Sequence, residues 1–428
     1  MNHYGLLLSA VSTLICLFTV STTSAQSWPN WRGPDGNGFA SGSGFPTKWT
    51  SDQNVRWSLP LTGTGGSTPI VWQRKIFVTT TAAEKNLTSC FDFQGQQLWQ
   101  TATGAERKGK HRKATGANPS PVTDGSHLFV YFKSGDLACL DLEGRVMWHK
   151  NLQTEYGEDT LWWDLGTSPV LTRDAVVVAC IQSQPSPSYL LALEKETGEL
   201  AWKHDRELHA PLEANQSYST PIVLQRDGQE QIIVLGADHV TCHAASTGAE
   251  LWRVGGLNPN EEQYFRSIAS PVVVGDLVIA PYARGQTLTA IRLGGAGDVT
   301  ETHVAWTLHD ASADVPTPAV YAGRVYVCSD NGKLSCVDPE SGKIVWSAQL
   351  EKSRSTFSAS PVPADGKLYL TREDGTTFVV RIEPDFAPLA VNPLDGDSVV
   401  ATPVLVDGVL LLRTPDRLYC IGDPQTTE

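Results

Sequence analysis

The sequence predicts an all-β fold, an eight-bladed β-propeller built from four-stranded antiparallel blades. Two repeated motifs and the two chain ends lead to this prediction. The first motif is a small residue, Ser or Thr, Pro and two mostly apolar residues, and its prolines recur 42 to 52 residues apart. Such a period is typical of folds in which each repeat is one small sheet. The prolines are Pro69, Pro121, Pro169, Pro221, Pro271, Pro318, Pro361 and Pro403.

The second motif closes each repeat with a glycine and, four residues later, a tryptophan. It is found in 92–99, 141–148, 194–202, 246–252 and 338–346. A large aromatic ring at one register of every sheet can pack flat against the next sheet. We therefore predict that these tryptophans pack between blades and do not bind a ligand. The set is Trp57, Trp99, Trp148, Trp202, Trp252, Trp306 and Trp346.

The segments between the two motifs have the pattern of β-hairpins. In the sixth repeat, the apolar residues of 325–328 and 333–337 flank Asn331-Gly332. Alternating apolar residues around Asn-Gly are the strongest short-range hairpin signal. Each repeat therefore contains four short antiparallel strands.

The two chain ends supply the pieces of one incomplete repeat. The eighth repeat stops at Gly422 without a tryptophan segment, whereas Trp57 lies in a strand-like segment, 55–60, twelve residues before Pro69. Trp306 and Pro318 have the same separation. We predict that the N-terminal strand completes the eighth blade, which closes the ring and removes exposed sheet edges.

The first 25 residues have the composition of a targeting segment. An apolar stretch over 6–20 precedes small and polar residues up to Ala25. This pattern predicts a signal peptide over 1–25 and a periplasmic or secreted, extracytoplasmic protein. The alternative is an N-terminal membrane anchor, for which the stretch is short. A lead-in segment over 26–54, the propeller over 55–422 and a tail over 423–428 complete the predicted organisation.

The cysteines have the positions of structural residues. Five of them share one place in the repeat, and alanine occupies that place in two other repeats. Because a site that accepts Cys or Ala is small and buried, we expect free thiols. A bridge between Cys328 and Cys336 is the alternative, although a two-residue turn would place them on opposite faces. The five are Cys90, Cys139, Cys242, Cys336 and Cys420.

The composition excludes two broad classes of function. A net charge of −13 and an isoelectric point near 5.2 disfavour nucleic-acid binding, which needs a basic surface. No interior segment is long and apolar enough for a membrane span. Because a closed ring of blades needs no second chain, we expect a monomer.

The connections from a fourth strand to the next first strand should open on one face, around the channel, where propellers place function. The connection with Arg107 to Lys113 is a basic patch for an anionic group or a solvated loop. Trp162 and Trp163, just before Asp164, predict a stacking platform for a ring or a sugar. The alternative is a hydrophobic plug of the channel.

Further candidate ligand-binding residues follow in later connections. Asn215, Gln216 and Tyr218 could supply hydrogen bonds to a ligand. Arg266 and Arg354 precede equivalent strands, so repeat symmetry should bring them to one rim. There they could bind a ligand anion or form structural salt bridges, with Asp164 as one acceptor. We predict no catalytic residue and no metal site, because no catalytic motif or metal-ligand spacing is present.

The glycine–tryptophan motif and the opening segment 28–38 resemble the pyrroloquinoline-quinone (PQQ)-like β-propeller repeat family. This quinoprotein alcohol dehydrogenase-like superfamily also includes the BamB-type propeller of outer-membrane assembly. The resemblance extends over about 28–422 and implies the propeller fold. It also implies two kinds of function, because one fold hosts both enzymes and scaffolds.

Our leading hypothesis is a non-catalytic binding or scaffold module that binds a protein or a glycan on the loop-rich channel face. The alternative, which the resemblance implies, is a dehydrogenase that depends on PQQ and calcium. In that case Trp162 or Trp163 would stack on the cofactor and Asp164 would be the candidate base. No adjacent cysteine pair, which many of these enzymes carry, is present, and this favours the first hypothesis.

Overall fold

The computed structural model describes residues 26–309, 311–383, 385–394 and 398–423. These residues form eight separate antiparallel sheets in a ring, so the predicted all-β propeller is confirmed. The predicted signal peptide over 1–25 and most of the predicted tail lie outside the described residues. Within the described ranges, no helix has the length and apolar character needed to cross a bilayer.

Each blade consists of four strands that we number from the channel outwards. In blades 1 to 4 they are Ile70–Trp72, Lys75–Ala82, Lys85–Asp92 and Gln97–Ala105; Val122–Thr123, His127–Tyr131, Asp136–Asp141 and Val146–Asn151; Val170–Leu171, Ala175–Cys180, Tyr189–Glu194 and Leu200–Asp205; Ile222–Arg226, Gln229–Gly236, His239–Ala244 and Glu250–Val254. The second and third strands of each blade are the most buried, because blades cover them on both sides.

In blades 5 to 8 the strands are Val272–Val274, Leu277–Tyr282, Thr287–Arg292 and Val304–His309; Ala319–Tyr321, Arg324–Cys328, Lys333–Val337 and Ile344–Gln349; Val362–Ala364, Lys367–Thr371, Thr377–Arg381 and Ala387–Asn392; Val404–Val406, Val409–Arg413, Arg417–Ile421 and Val55–Pro60. The described helices are short: the α-helices Leu152–Tyr156 and Thr300–His303, and the 3-10 helices Leu212–Asn215 and Ala283–Gly285.

The ring closes where the sequence predicts. The N-terminal strand pairs antiparallel with the third strand of blade 8, with Trp57 opposite Cys420 and Ser58 opposite Tyr419. The last blade is therefore built from both chain ends, which leaves no gap between blades 8 and 1.

Regular blade junctions are held by one tryptophan and one glycine. The Trp99 indole N–H donates a hydrogen bond to the Leu142 carbonyl (3.0 Å), and its ring covers Gly144 in the next blade. A Cβ at Gly144 would lie 2.6 Å from the ring, and its φ of +85° also favours glycine. Trp57, Trp148, Trp202 and Trp306 repeat this contact, which confirms the predicted packing role.

The junction between blades 4 and 5 departs from this rule. Gly297–Asp298, within an insertion of blade 5, pairs in parallel with Trp252 and Arg253 and adds a fifth strand to blade 4. The four predicted antiparallel strands are present in this blade, and the insertion adds a two-residue strand that covers its outer edge. Trp252 is buried, but its indole N–H has no acceptor among the described residues.

The seven cysteines among the described residues are all buried and unpaired, as predicted. Burial is the main cause that raises the pKa of the Cys90, Cys139 and Cys420 thiols to about 12. A thiol that stays protonated is a poor nucleophile, so these side chains are packing elements of the blades.

The lead-in segment runs across one end of the channel, which we call the lower face. There it bonds to the ends of first strands: Trp28 exchanges two hydrogen bonds with Val71 (both 2.8 Å), and Pro29 accepts one from Thr123 (2.9 Å). The buried Arg32 donates to the carbonyl of Pro318 (2.6 Å). The opposite end of the channel is the upper face.

Candidate functional site

The upper face carries two sets of loops. Strands alternate in direction, so the second-to-third turns of a blade open on the same face as its fourth-to-first connections. Together they surround an upper cavity of about 560 Å³ at the channel mouth. Trp31 of the lead-in segment also lines this cavity and the space beneath it. The cavity is large enough for a small ligand or a few side chains.

A ring of hydroxyl groups forms the wall of the upper cavity. The Ser or Thr of the first repeated motif accepts a hydrogen bond from the backbone N–H of its counterpart in the preceding blade, at 2.8 to 3.2 Å. The ring closes from Thr402 to Thr68, so the motif couples all eight blades. Its members are Thr68, Ser120, Ser168, Thr220, Ser270, Thr317, Ser360 and Thr402.

The paired tryptophans lie on a loop that buried polar side chains hold in place. The Gln216 side-chain oxygen accepts hydrogen bonds from the backbone N–H of Trp162 (2.9 Å) and from the Tyr218 hydroxyl (2.8 Å). The Trp163 indole donates to Glu213 (2.7 Å). The loop therefore presents its two rings in a fixed arrangement.

Three connections join into one raised surface beside the upper cavity, which we call the ridge (152–166, 206–218 and 255–268). The Ala214 N–H donates to the Gln263 carbonyl (3.1 Å) and links the second and third of these segments. Four large apolar side chains stand exposed on the ridge. They are Trp162 (43%), Trp163 (45%), Leu212 (48%) and Tyr264 (51%).

Asp164 forms a buried ion pair with Lys133, which comes from a second-to-third turn. Its carboxylate also accepts hydrogen bonds from the backbone N–H groups of Lys110 (2.8 and 2.9 Å) and His111 (2.8 Å). The hypothesis that Asp164 pairs with Arg266 or Arg354 is therefore wrong. The carboxylate oxygens of Asp164 are already engaged by Lys133, Lys110 and His111, and these contacts connect three loops.

The two candidate arginines do not share an environment. Arg266 lines the upper cavity and pairs with Asp314 (3.0 Å) and Glu213 (3.5 Å), as in the salt-bridge alternative. Arg354 is exposed and does not line the cavity, so its convergence with Arg266 stays a prediction. The connections differ in length and path, and repeat symmetry therefore does not extend to their side chains.

Of the other candidates, only Trp163, Asp164 and Tyr218 line the upper cavity with Arg266. Asn215 and Gln216 are buried, and their amides donate to the Gln182 carbonyl (3.1 Å) and the Ser183 hydroxyl (2.8 Å). The ligand-binding role of the candidate residues stays a prediction.

Two of the five lysine and arginine side chains in the basic patch of the first connection form ion pairs. Arg107 pairs with Asp159 (3.0 Å), and Lys113 reaches Glu373 of blade 7 (2.7 Å). The connection thus reaches from blades 1 and 2 across to blade 7 at the channel mouth. Among the described residues, Lys108 and Arg112 make no ion pair.

Sequence reasoning missed the second-to-third turns. They supply Lys133, Arg284, Asp330 and Glu373 to the surroundings of the upper cavity. Burial, with a smaller contribution from Asp314, raises the pKa of Asp330 to about 6. These turns could have been predicted from the sequence. Successive strands of a blade run in opposite directions, so every second-to-third turn lies on the upper face.

The side chains around the upper cavity do not form a calcium site. Calcium needs six to eight oxygen ligands, usually with several carboxylates. Asp164, Asp314 and Glu373 each engage a lysine or an arginine, and no group of three His, Cys, Asp or Glu side chains with metal-binding geometry occurs among the described residues. We therefore derive no step through PQQ or calcium.

Comparison with known families gives a match over most of the propeller. A family model described as "Outer membrane protein assembly factor BamB" matches residues 33–185, 83–280, 189–305 and 296–384 in overlapping segments. The chain is 26% identical to the outer membrane protein assembly factor BamB of Moranella endobia over 277 residues. That match covers 60% of this chain and 63% of the relative, slightly less than two thirds of its length.

Solved structures share the architecture at low sequence identity. BamB from Moraxella catarrhalis has a TM-score of 0.60 at 16% identity, covering 85% of this chain and 98% of that chain. A europium-containing methanol dehydrogenase has a TM-score of 0.69 at 11% identity, covering 93% and 90%. At such identities the likeness shows the fold alone.

Proposed function

Because this chain belongs to the family described as outer membrane protein assembly factor BamB, we propose that it is a non-catalytic propeller that binds a protein partner outside the cytoplasm. The predicted signal peptide and the names of the relatives support an extracytoplasmic location. The described blades act as the scaffold, and the ridge acts as the binding surface.

The observation that carries this proposal is the apolar surface of the ridge. Trp162, Trp163, Leu212 and Tyr264 are exposed there although other side chains of the same loops are buried. Interfaces gain most of their affinity from a few large, rigid anchors. The bond from the Trp162 backbone N–H to Gln216 holds the loop, and the bond from the Trp163 indole to Glu213 holds that ring, so less conformational entropy would be lost on binding than with a free loop.

The chemistry of the ridge favours a protein over a glycan. A sugar site combines an aromatic ring with free hydrogen-bonding side chains, whereas Asn215 and Gln216 already use their amides within the protein. Leu212, an aliphatic side chain beside the aromatic ones, also suits the apolar core of a protein interface.

Site-specific photo-crosslinking in the native cell tests the proposal. A photoreactive residue at Leu212 should give one discrete adduct in the envelope fraction. The same residue at Met147, which is equally exposed but lies on an outer strand, is the matched control and should give none. Tyr264→Asp should remove the adduct. Equal adducts from both positions, or none from Leu212, would contradict a role for the ridge.

A redox assay tests the enzyme alternative. The purified protein should not reduce an artificial electron-acceptor dye with an alcohol, PQQ and calcium. Dye reduction that depends on PQQ and disappears with Trp163→Ala would replace the proposed function by the quinoprotein hypothesis.

A further inference from the structure

The lower face has its own groove, which lies on the side of the ring opposite the ridge and adjoins the upper cavity at Trp31, Thr220, Ser270 and Thr317. It measures about 400 Å³ and lies between the lead-in segment and the first strands of blades 2 to 4, and it reaches Ser270 and Pro271 just before the first strand of blade 5. Trp31 stands at one side, and Leu171, Val223 and Gln225 line the other. We propose that this lower groove binds an extended peptide segment of a partner protein through backbone hydrogen bonds.

The lead-in segment shows how such a segment binds. It pairs with the second residue after the motif proline in four blades. The bonds join Trp28 to Val71, Pro29 to Thr123, Asn37 to Val320 and Ala40 to Pro363, at 2.8 to 3.1 Å. One position of the repeat therefore serves as a backbone docking point, and the lead-in segment occupies it in blades 1, 2, 6 and 7.

The equivalent residues of blades 3, 4 and 5 are Leu171, Val223 and Val273. The alternation of antiparallel pairs decides where their backbone groups point. In blade 4 a two-residue turn makes Arg226 and Gln229 a hydrogen-bonded pair, which leaves Val223 and Ile232 as a non-bonded pair. The N–H and C=O of Val223 therefore point away from the second strand.

The other two blades have the same register. Val273 and Val278 are a non-hydrogen-bonded pair, because the pair next to them toward the turn is hydrogen-bonded. The same holds for Leu171 and Val176. Val71, opposite Ile76, has this register too, and there both backbone groups bond to Trp28. None of the three residues makes a backbone hydrogen bond outside its own sheet among the described ranges.

The spacing and charge of the lower groove define the peptide. In the lead-in segment, the residues that bond to neighbouring blades are one position apart (Trp28 and Pro29) or three positions apart (Asn37 and Ala40), so about five extended residues would span blades 3 to 5. Apolar side chains suit Leu171 and Val223. Asp35, which makes no ion pair among the described residues, and Glu230 favour a lysine in the peptide.

A proline at the docking position already occurs in one blade of this protein, so the same substitution can be made in blade 4. Pro363 occupies the docking position of blade 7 without disturbing its strand. Val223→Pro should therefore remove one N–H from the groove and no hydrogen bond of the sheet. Val223→Ala is the matched control, because it shortens the side chain and keeps the N–H.

The test uses fluorescence anisotropy with fluorescein-labelled Val-Lys-Val-Thr-Val-amide and the full chain. The wild type should bind this peptide, and Val223→Pro should weaken binding about tenfold, as expected for one unsatisfied backbone acceptor. Val223→Ala should have a smaller effect. A peptide with its valine nitrogens methylated keeps the side chains and should not bind. Urea unfolding checks that both variants remain folded.

Several results would overturn the proposal. They are absence of binding to the wild type, equal binding of the methylated peptide, or equal affinity of Val223→Pro and the wild type. Concentration-dependent dimerisation that Val223→Pro abolishes would assign the groove to a second copy of this chain instead. Because the ridge lies on the opposite face, its crosslinking result is independent of all these outcomes.

Discussion

The tryptophans of this protein fall into two regions that use the same side chain in opposite ways. At the regular junctions, Trp148 and its counterparts bury their rings on a glycine of the next blade and donate to a carbonyl there. On the ridge, Trp162 and Trp163 are exposed although their loop is fixed. A tryptophan that obeys the repeat stabilises the fold, whereas one that departs from it is available to a partner.

The largest expected effect separates these two classes directly. Trp148→Ala should destabilise the protein by about 3–5 kcal/mol, because it removes a buried ring and leaves the Lys195 carbonyl without its donor. Trp162→Ala, the matched exposed change, should alter the free energy of unfolding by about 0.5 kcal/mol or less. Urea unfolding of both variants measures the difference. Similar losses would mean that the distinction between junction and ridge is wrong.

A second prediction concerns the buried ion pair between Asp164 and Lys133 on the upper face. Asp164→Asn should cost about 3 kcal/mol, because it leaves the buried Lys133 ammonium without its counter-charge. Lys133→Met together with Asp164→Asn should recover part of this loss. Thermal unfolding of the single and double variants gives the coupling. Additive effects would show that the two side chains do not depend on each other.

Two glycines with similar backbone conformation test the junction contact itself. Gly198 has a φ of +70° and lies under the Trp148 ring, where a Cβ would be 2.7 Å away. Gly323, in the two-residue turn between the first and second strands of blade 6, also has a φ of +70°, and there is open space around it. Gly198→Ala should cost about 1–3 kcal/mol, and Gly323→Ala about 1 kcal/mol from backbone strain alone. Equal losses of stability in the two variants would mean that the Trp148 ring moves aside at no cost in free energy.

The smallest expected effect depends on pH and belongs to the upper cavity. Burial raises the pKa of Asp330 to about 6, above its usual value of 3.8, so the folded protein favours the protonated form. The contribution of the protonated Asp330 to the free energy of unfolding is complete below about pH 4 and is lost as the pH rises through 6.

Asp330→Asn should therefore be more stable than the wild type at pH 8, on the order of 1 kcal/mol given partial exposure of this side chain. At pH 4 the two proteins should unfold at the same temperature. Melting curves between pH 4 and 8 measure this difference. A constant difference over this range would show that Asp330 does not titrate as stated.

The repeat itself could be predicted from the sequence. Motif spacing revealed the eight blades, the closing strand at 55–60, the packing of tryptophans such as Trp99 between blades, and the unpaired cysteines. These features are local and recur, so each copy confirms the others. The role of the Ser and Thr in the first motif was not predicted, because their hydrogen bonds join different blades.

The candidate site could be predicted only in part. Trp163, Asp164, Tyr218 and Arg266 line the upper cavity, but Arg354 does not. Asp164 has Lys133 as its partner, a residue 31 positions away on a turn that sequence reasoning did not consider. Connections do not repeat, so symmetry carries no information about their side chains.

The number of blades, the order of their strands and the closure of the ring can all be read from the amino-acid sequence. A β-strand fixes the direction of its side chains through a period of two, and a repeat fixes the register, so both can be read along the chain. In contrast, the three-dimensional fold sets which charges meet across the upper cavity and which first strands the lead-in segment leaves uncovered. Both depend on the paths of irregular segments between blades distant in sequence, and these paths follow from the packing of the closed ring.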